Sequence, residues 1–184
     1  VMMQNRGQLH RNTKLFLNSI ASSSLTDEDV AEFKAQFAEL LNNLVIEITE
    51  EEEINHEALE VKRHAPGFSG MFALDDYGSG FANENSLLEL SPRFIKVDIA
   101  IIRGIDTDPD KQQIVQNIVA YAHPRNMQII AEGVETAAEL RKVIELGADA
   151  LQGYFLAKPA AVPAKMAPAA RKVIAEYSSA SDSG

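Results

Sequence analysis

Short runs rich in Val, Ile, Leu and Phe alternate along the chain with longer stretches in which apolar residues recur every three or four positions. The runs predict six strands, at residues 15–19 (LFLNS), 44–50 (LVIEITE), 70–76 (GMFALDD), 94–98 (FIKVD), 128–134 (QIIAEGV) and 150–155 (ALQGYF). The stretches between them predict helices. Over 27–41, Val30, Phe33, Phe37 and Leu40 recur at helical spacing behind Thr26 as a cap, and the opposite face is mostly acidic. A second helix opens at Asp108 with Pro109 in its first turn, carries Ile114, Ile118 and Tyr121 along one side, and ends near His123 and Pro124. A third begins at Thr136, where Glu139 three residues on completes a capping box, and stops at Gly147.

Strand and helix repeated in this way predict parallel strands joined by right-handed crossovers, either as an open doubly wound sheet or as a closed barrel. The polar residues separate the two. Asn18, Glu47, Asp75 with Asp76, Lys96 with Asp98, Glu132 and Gln152 lie inside the predicted strands or at their C-terminal ends. In a barrel those ends converge on one mouth, whereas in an open sheet they are strung along an edge. Convergence gives so many acids in apolar company a common cause. The expected fold class is therefore α/β, a (β/α)8 TIM-type barrel that is incomplete, with six of its eight strands in this chain. The expected organisation is a helical lead-in over 1–14, the barrel domain over 15–178 and a disordered tail over 179–184.

Taken singly, these residues admit ordinary readings. Glu47 and Thr49 share a strand face and could both meet solvent, Asp75-Asp76 in FALDDYGSGF could form a turn, and Lys96 could be a solvated strand lysine. Taken together they form an oxygen-rich set of Asp, Glu and Asn, which suits hard cations such as Mg²⁺ or Mn²⁺ better than zinc. Two such ions ~3.5–4 Å apart activate water and stabilise a leaving oxygen in phosphoester hydrolysis. The chain has no cysteine, which excludes disulfides, thiolate zinc sites and cysteine nucleophiles. His10, His56, His64 and His123 all fall in predicted helices or loops and receive no chemical role. The GSG after the paired acids lacks both the spacing and the following lysine of a phosphate loop.

A net charge of −10 argues against any sequence-independent grip on duplex nucleic acid, and an anionic substrate would need help from cations. No apolar run approaches the ~20 residues of a membrane span, and the N-terminal residues lack the apolar segment of a signal peptide. The expected setting is cytoplasmic.

The segments VIEITE, ALDDYGSGF, FIKVD, IIAEGVET and LQGYFLAKP, in this order and spacing, resemble the EAL-domain family of cyclic di-GMP phosphodiesterases. The resemblance runs from about LFLNS to AKP. It implies a (β/α)8 barrel that hydrolyses cyclic di-GMP to linear pGpG with two Mg²⁺ or Mn²⁺ ions. The unpaired first and last strands of an incomplete barrel invite pairing with another chain or segment, so a homodimer or an upstream regulatory domain is the expected partner. Residue by residue, Asn18, Glu47 and Asp75 match one metal's ligands, and Asp75, Asp76 and Glu132 match positions around the second. Lys96 matches the lysine that contacts the attacking water, and Glu132 is also cast as general base. Glu50 matches the glutamate that holds the loop after the paired aspartates, in which Gly78 and Gly80 stand. Glu135 and Gln152 match further residues of the site, and Asp98 an acid in its outer tier.

The departures bear equally on function. The glutamate of the family's EAL signature and the strand before it have no counterpart among the 184 residues, and the loop carries FAN where the family usually shows an aromatic followed by small hydroxyl residues. These departures keep open a second reading, an impaired EAL domain acting as a cyclic di-GMP receptor or protein-interaction module. A third, independent of the resemblance, is a barrel aldolase or isomerase with Lys96 as Schiff base, which leaves the acids idle.

Overall fold

All six β-rich runs form strands, namely β1 (Leu15–Asn18), β2 (Leu44–Thr49), β3 (Met71–Tyr77), β4 (Phe94–Val97), β5 (Gln128–Ala131) and β6 (Ala150–Leu151). The computed structural model describes residues 13–18, 26, 28, 31, 35, 41–49, 56–64, 70–79, 84–162 and 164–181. Glu50, Gly80, the FAN stretch and most of the expected helix 27–41 lie outside the described residues, as do 1–12 of the expected lead-in and 182–184 of the expected tail. Every strand pairs in parallel with the next in sequence, in the order β1 to β6. Among the described residues β1 and β6 each have one neighbour, so the sheet is the wall of an incomplete barrel.

Parallel strands need long crossovers, and helices supply them. These are α1 (His56–Arg63), α2 (Glu84–Leu90), α3 (Ile99–Ile102), α4 (Pro109–Ala122) and α5 (Ala137–Glu145), with α6 (Pro168–Ser181) following β6. Helix α6 reaches Ser181, into the stretch expected to be a tail. Strands β5 and β6 stop earlier than their apolar runs, because glycines bend the chain at Gly133, with φ of 70°, and at Gly153.

Side chains alternate across a strand, and the sequence uses both faces. On the outer face Ile46, Ile48, Phe72, Leu74, Ile95, Val97 and Ile129 pack with helix residues such as Leu59, Leu90, Ile118 and Leu140 in the main core. On the inner face Val45, Ala73, Phe94 and Ile130 form a second cluster, closed by Phe16 and Met71. Two residues beyond each of these four comes a charged one: Glu47, Asp75, Lys96 and Glu132. An apolar floor therefore lies directly beneath a charged layer.

The helix caps follow the sequence closely. Asp108 caps α4 by accepting from the N–H groups of Asp110 and Lys111, and Thr136 with Glu139 forms the capping box of α5. One detail differs from expectation. The buried stripe of α4 is Val115, Ile118 and Ala122, while Ile114 is exposed. Ile114 and Val115 are adjacent apolar residues, so the sequence leaves two overlapping stripes, and docking on the sheet selects the one with the smaller side chains.

Glu139 does more than cap. It is buried, its Oε1 accepts from the Gly104 N–H at 2.8 Å, and its Oε2 accepts from the N–H groups of Glu135 and Thr136 at 2.9 Å. These hydrogen bonds hold the carboxylate in its charged form below the usual glutamate range although burial opposes that charge. One side chain thus ties the start of α5 to the turn after α3. No described helix is long and apolar enough to cross a membrane. Glu139→Ala should lower stability by roughly 2–4 kcal/mol in chemical denaturation, because buried N–H groups lose their acceptor. Thr136→Ala should cost only about 1 kcal/mol.

Candidate metal centre

The charged layer on the inner face is organised around one lysine. Lys96 on β4 has a side chain only 8% exposed, and its Nζ lies 2.6 Å from Glu47 Oε1 on β2, 2.8 Å from Asp75 Oδ1 on β3 and 2.9 Å from Glu132 Oε1 just after β5. The strand ends converge as a barrel mouth requires. The solvated reading of Lys96 is therefore replaced by a buried one. Burial opposes its charge, but the contacts with Asp75, Glu47 and Glu132 prevail and hold the ammonium above the ordinary lysine range.

Adjacent residues of a regular strand point to opposite faces, so Asp75 and Asp76 should not be able to serve one site. The structure resolves this with a β-bulge. The β3–β4 register runs Ala73 to Phe94 and Leu74 to Ile95, then resumes at Tyr77 to Val97, so Asp75 and Asp76 together stand opposite Lys96 alone. Asp76 takes a left-handed conformation with φ of 56°, which aspartate tolerates better than most residues, and its N–H donates to Asp75 Oδ1 at 3.0 Å. As a result one carboxylate oxygen each of Asp75, Asp76 and Glu132 lies within 4.8 Å of the others.

Three observations fit this cluster to a divalent cation. Its donors are all carboxylate oxygens, the hard set that Mg²⁺ and Mn²⁺ prefer. Glu47, Asp75, Asp76 and Glu132 set four carboxylates against one ammonium, so the layer holds more negative charge than Lys96 offsets. Finally, Glu132 Oε1 is buried with no directed hydrogen bond, its contact with Lys96 being ionic only. Burial, only partly countered by Lys96, raises the Glu132 carboxyl above the usual glutamate range.

Asn18 ends β1 directly opposite Glu47 in register and is exposed. Gly78 and Gly133 flank the site beneath α3: a Cβ on Gly78 would meet Ile101 Cγ1 at 2.8 Å, and one on Gly133 would meet Ile99 Cγ1 at 2.2 Å. Asp98 caps α3 by accepting from the Ala100 N–H at 2.7 Å. Glu135 pairs with Arg103, and Gln152 is exposed, with its backbone bonded to Ala131 and Val134. Arg103, Ile99 and Ile101 escaped the sequence reading, since nothing local marks a residue whose partner lies more than twenty positions away.

Comparison with known proteins places this geometry. A family model described as EAL domain matches residues 2–159. The probable cyclic di-GMP phosphodiesterase PdeG of Escherichia coli K12 is 33% identical over 144 residues, covering 76% of this chain but 28% of that protein. A standalone EAL protein from Vibrio cholerae O395, solved in its c-di-GMP-bound form, superposes with a TM-score of 0.74 at 26% identity, covering 86% of this chain and 70% of that one. Klebsiella pneumoniae BlrP1, solved as a manganese and cyclic di-GMP complex, gives a TM-score of 0.70 at 29% identity, covering 80% of this chain and 39% of that one.

Removing the ammonium should expose what it holds together. Lys96→Met is expected to destabilise the metal-free protein by about 3–5 kcal/mol, and Mn²⁺ should raise its melting temperature more than that of the unmodified chain. Glu132→Gln should act in the opposite sense. A raised carboxyl pKa in the folded state contributes stability below the unfolded value that is lost as pH rises through the folded one, so charged Glu132 is a liability at neutral pH. In EDTA the variant should melt at the same temperature or higher, and the Mn²⁺-induced gain should shrink.

Proposed function

The chain belongs to the EAL domain family, and from that premise we propose that it opens one phosphodiester bond of cyclic di-GMP to give linear pGpG. The observation that carries this reading is the meeting of Glu47, Asp75, Asp76, Lys96 and Glu132 at one mouth, on the ends of four neighbouring strands. Asp75, Asp76 and Glu132 would hold one cation, and Asn18, Glu47 and Asp75 the other. When bound, such ions lower the pKa of a coordinated water and neutralise charge building on the phosphate.

The chain's own residues supply the rest. Lys96 Nζ, fixed by carboxylates at the ends of three different strands, would orient the attacking water as one of those carboxylates turns to a cation. Glu132 has its carboxyl pKa raised by burial, which moves it toward the range where a carboxylate accepts a proton effectively. Arg103 and Glu135, paired at the mouth's rim beyond Gly133, would limit how the dinucleotide lies. Asp98, by capping α3, holds Ile99 and Ile101 over the two glycines and so positions the wall behind the paired acids. Gln152, Glu50 and Gly80 would serve the substrate and the loop, as the family pattern implies.

A second reading is binding without turnover, as a cyclic di-GMP receptor. The exposure of Asn18 favours it, because an amide left in solvent is a weak anchor for the first ion. Assembly as a homodimer or with an upstream domain belongs to the same proposal, supported by the single-sided pairing of β1 and β6 among the described residues, and light scattering would test it.

Incubation with cyclic di-GMP and Mn²⁺, followed by chromatography, should yield pGpG. Asp75→Asn should reduce the rate by at least about 100-fold, since it removes a donor shared by both ions. Binding in calorimetry with no product would instead establish the receptor, and an unaltered rate in Asp75→Asn would overturn the metal-site assignment.

A further inference from the structure

The end of the barrel opposite the acid mouth carries a cavity of about 600 Å³, bounded by Gly70, Arg93 and Met127, the residues that immediately precede β3, β4 and β5. Its volume falls within the range of ordinary small-molecule sites, about 300–1,000 Å³. Its chemistry is the reverse of the acid mouth. Asp and Glu outnumber Lys and Arg by 27 to 17 in the chain, yet among the described residues that line this cavity none is acidic and two are arginines.

Both arginines are held without being neutralised. Arg93 Nη1 donates to the Asn126 carbonyl, and Arg125 Nη1 donates to the Tyr121 carbonyl at 2.8 Å. The Arg125 guanidinium also lies 4.1 Å over the Tyr121 ring, and neither arginine pairs with a carboxylate among the described residues. A guanidinium carries five N–H donors, so each retains most of its capacity while its position is fixed. Carbonyl anchors thus preorganise two positive groups and leave their charge available. Between and beneath them lie apolar side chains: Met71, Leu87, Pro92 and Met127, with Leu88 standing 67% exposed at the rim.

From this pairing of two uncompensated guanidiniums with an apolar floor, we propose that the cavity binds a small amphipathic anion, a carboxylate, sulfonate or phosphate carried on an apolar or aromatic body. The anionic group bridges Arg93 and Arg125, and the body lies along Tyr121 and over Met71 and Leu87. The site is separate from the acid mouth and needs no cation, which would be required for an anion to approach the carboxylates there.

Anilinonaphthalene sulfonate combines a sulfonate with an aromatic body and serves as the probe, titrated by fluorescence into the full chain in EDTA so that the acid mouth repels it. Saturable binding at one site per chain is expected. Arg93→Gln with Arg125→Gln should weaken it by about tenfold or more, the loss of one or more charge-assisted hydrogen bonds. Leu88→Glu, at an exposed position that leaves the fold untouched, should weaken it similarly by placing a carboxylate at the rim. Restoring charge with Arg93→Lys and Arg125→Lys should recover part of the affinity. The proposal is overturned if binding does not saturate, if Leu88→Glu binds as tightly as the unmodified chain, or if a neutral anilinonaphthalene binds as well as the sulfonate.

Discussion

Three carboxylates cannot be buried side by side at a sheet end unless a positive charge lies among them, and the Lys96 ammonium meets that requirement. Because its partners sit on β2, on β3 and just after β5, this one contact joins strands that are far apart in sequence. The apolar floor of Val45, Ala73, Phe94 and Ile130 excludes water from below, which strengthens the contact and makes loss of the ammonium costly. The price of that order is a residual negative charge at the mouth, and the same deficit makes the mouth receptive to divalent cations.

Much of this was legible in the sequence. Apolar runs of strand length located all six strands, and the cap residues Asp108, Thr136 and Glu139 located two helix starts. The convergence of Glu47, Asp75, Lys96 and Glu132 could be inferred because one barrel mouth explains what separate surface readings would each have to explain again. Burial of Lys96 could not be read from FIKVD alone, since a lysine between Ile95 and Val97 suits a solvated strand face equally well. Only the register of β4 with its neighbours decides between them.

Other features depend on geometry that has no local signal. The stripe of α4 was misplaced by one residue, because two adjacent apolar side chains define two nearly equivalent faces until a sheet is packed against one of them. Glu139 was identified as a cap, but its bond to Gly104 joins positions 35 residues apart and follows from tertiary packing alone. Arg93 and Arg125 likewise meet across one cavity only because the strands they flank are neighbours. Carboxylates therefore gather where β2, β3 and β5 finish, and two guanidiniums stand where β4 and β5 begin.

The bulge at Asp75 and Asp76 separates two properties that ordinarily travel together in a side chain. Where the second carboxylate sits is decided by the left-handed backbone of Asp76, and what it contributes is decided by its charge. Asparagine shares aspartate's tolerance for that conformation, so charge can be withdrawn there while the strand offset stays in place. A β-branched residue would do the reverse, pulling the strand back toward regular alternation and turning its side chain toward the helices. The site is thus modular at a single residue, with its shape written in the main chain and its chemistry in two oxygen atoms.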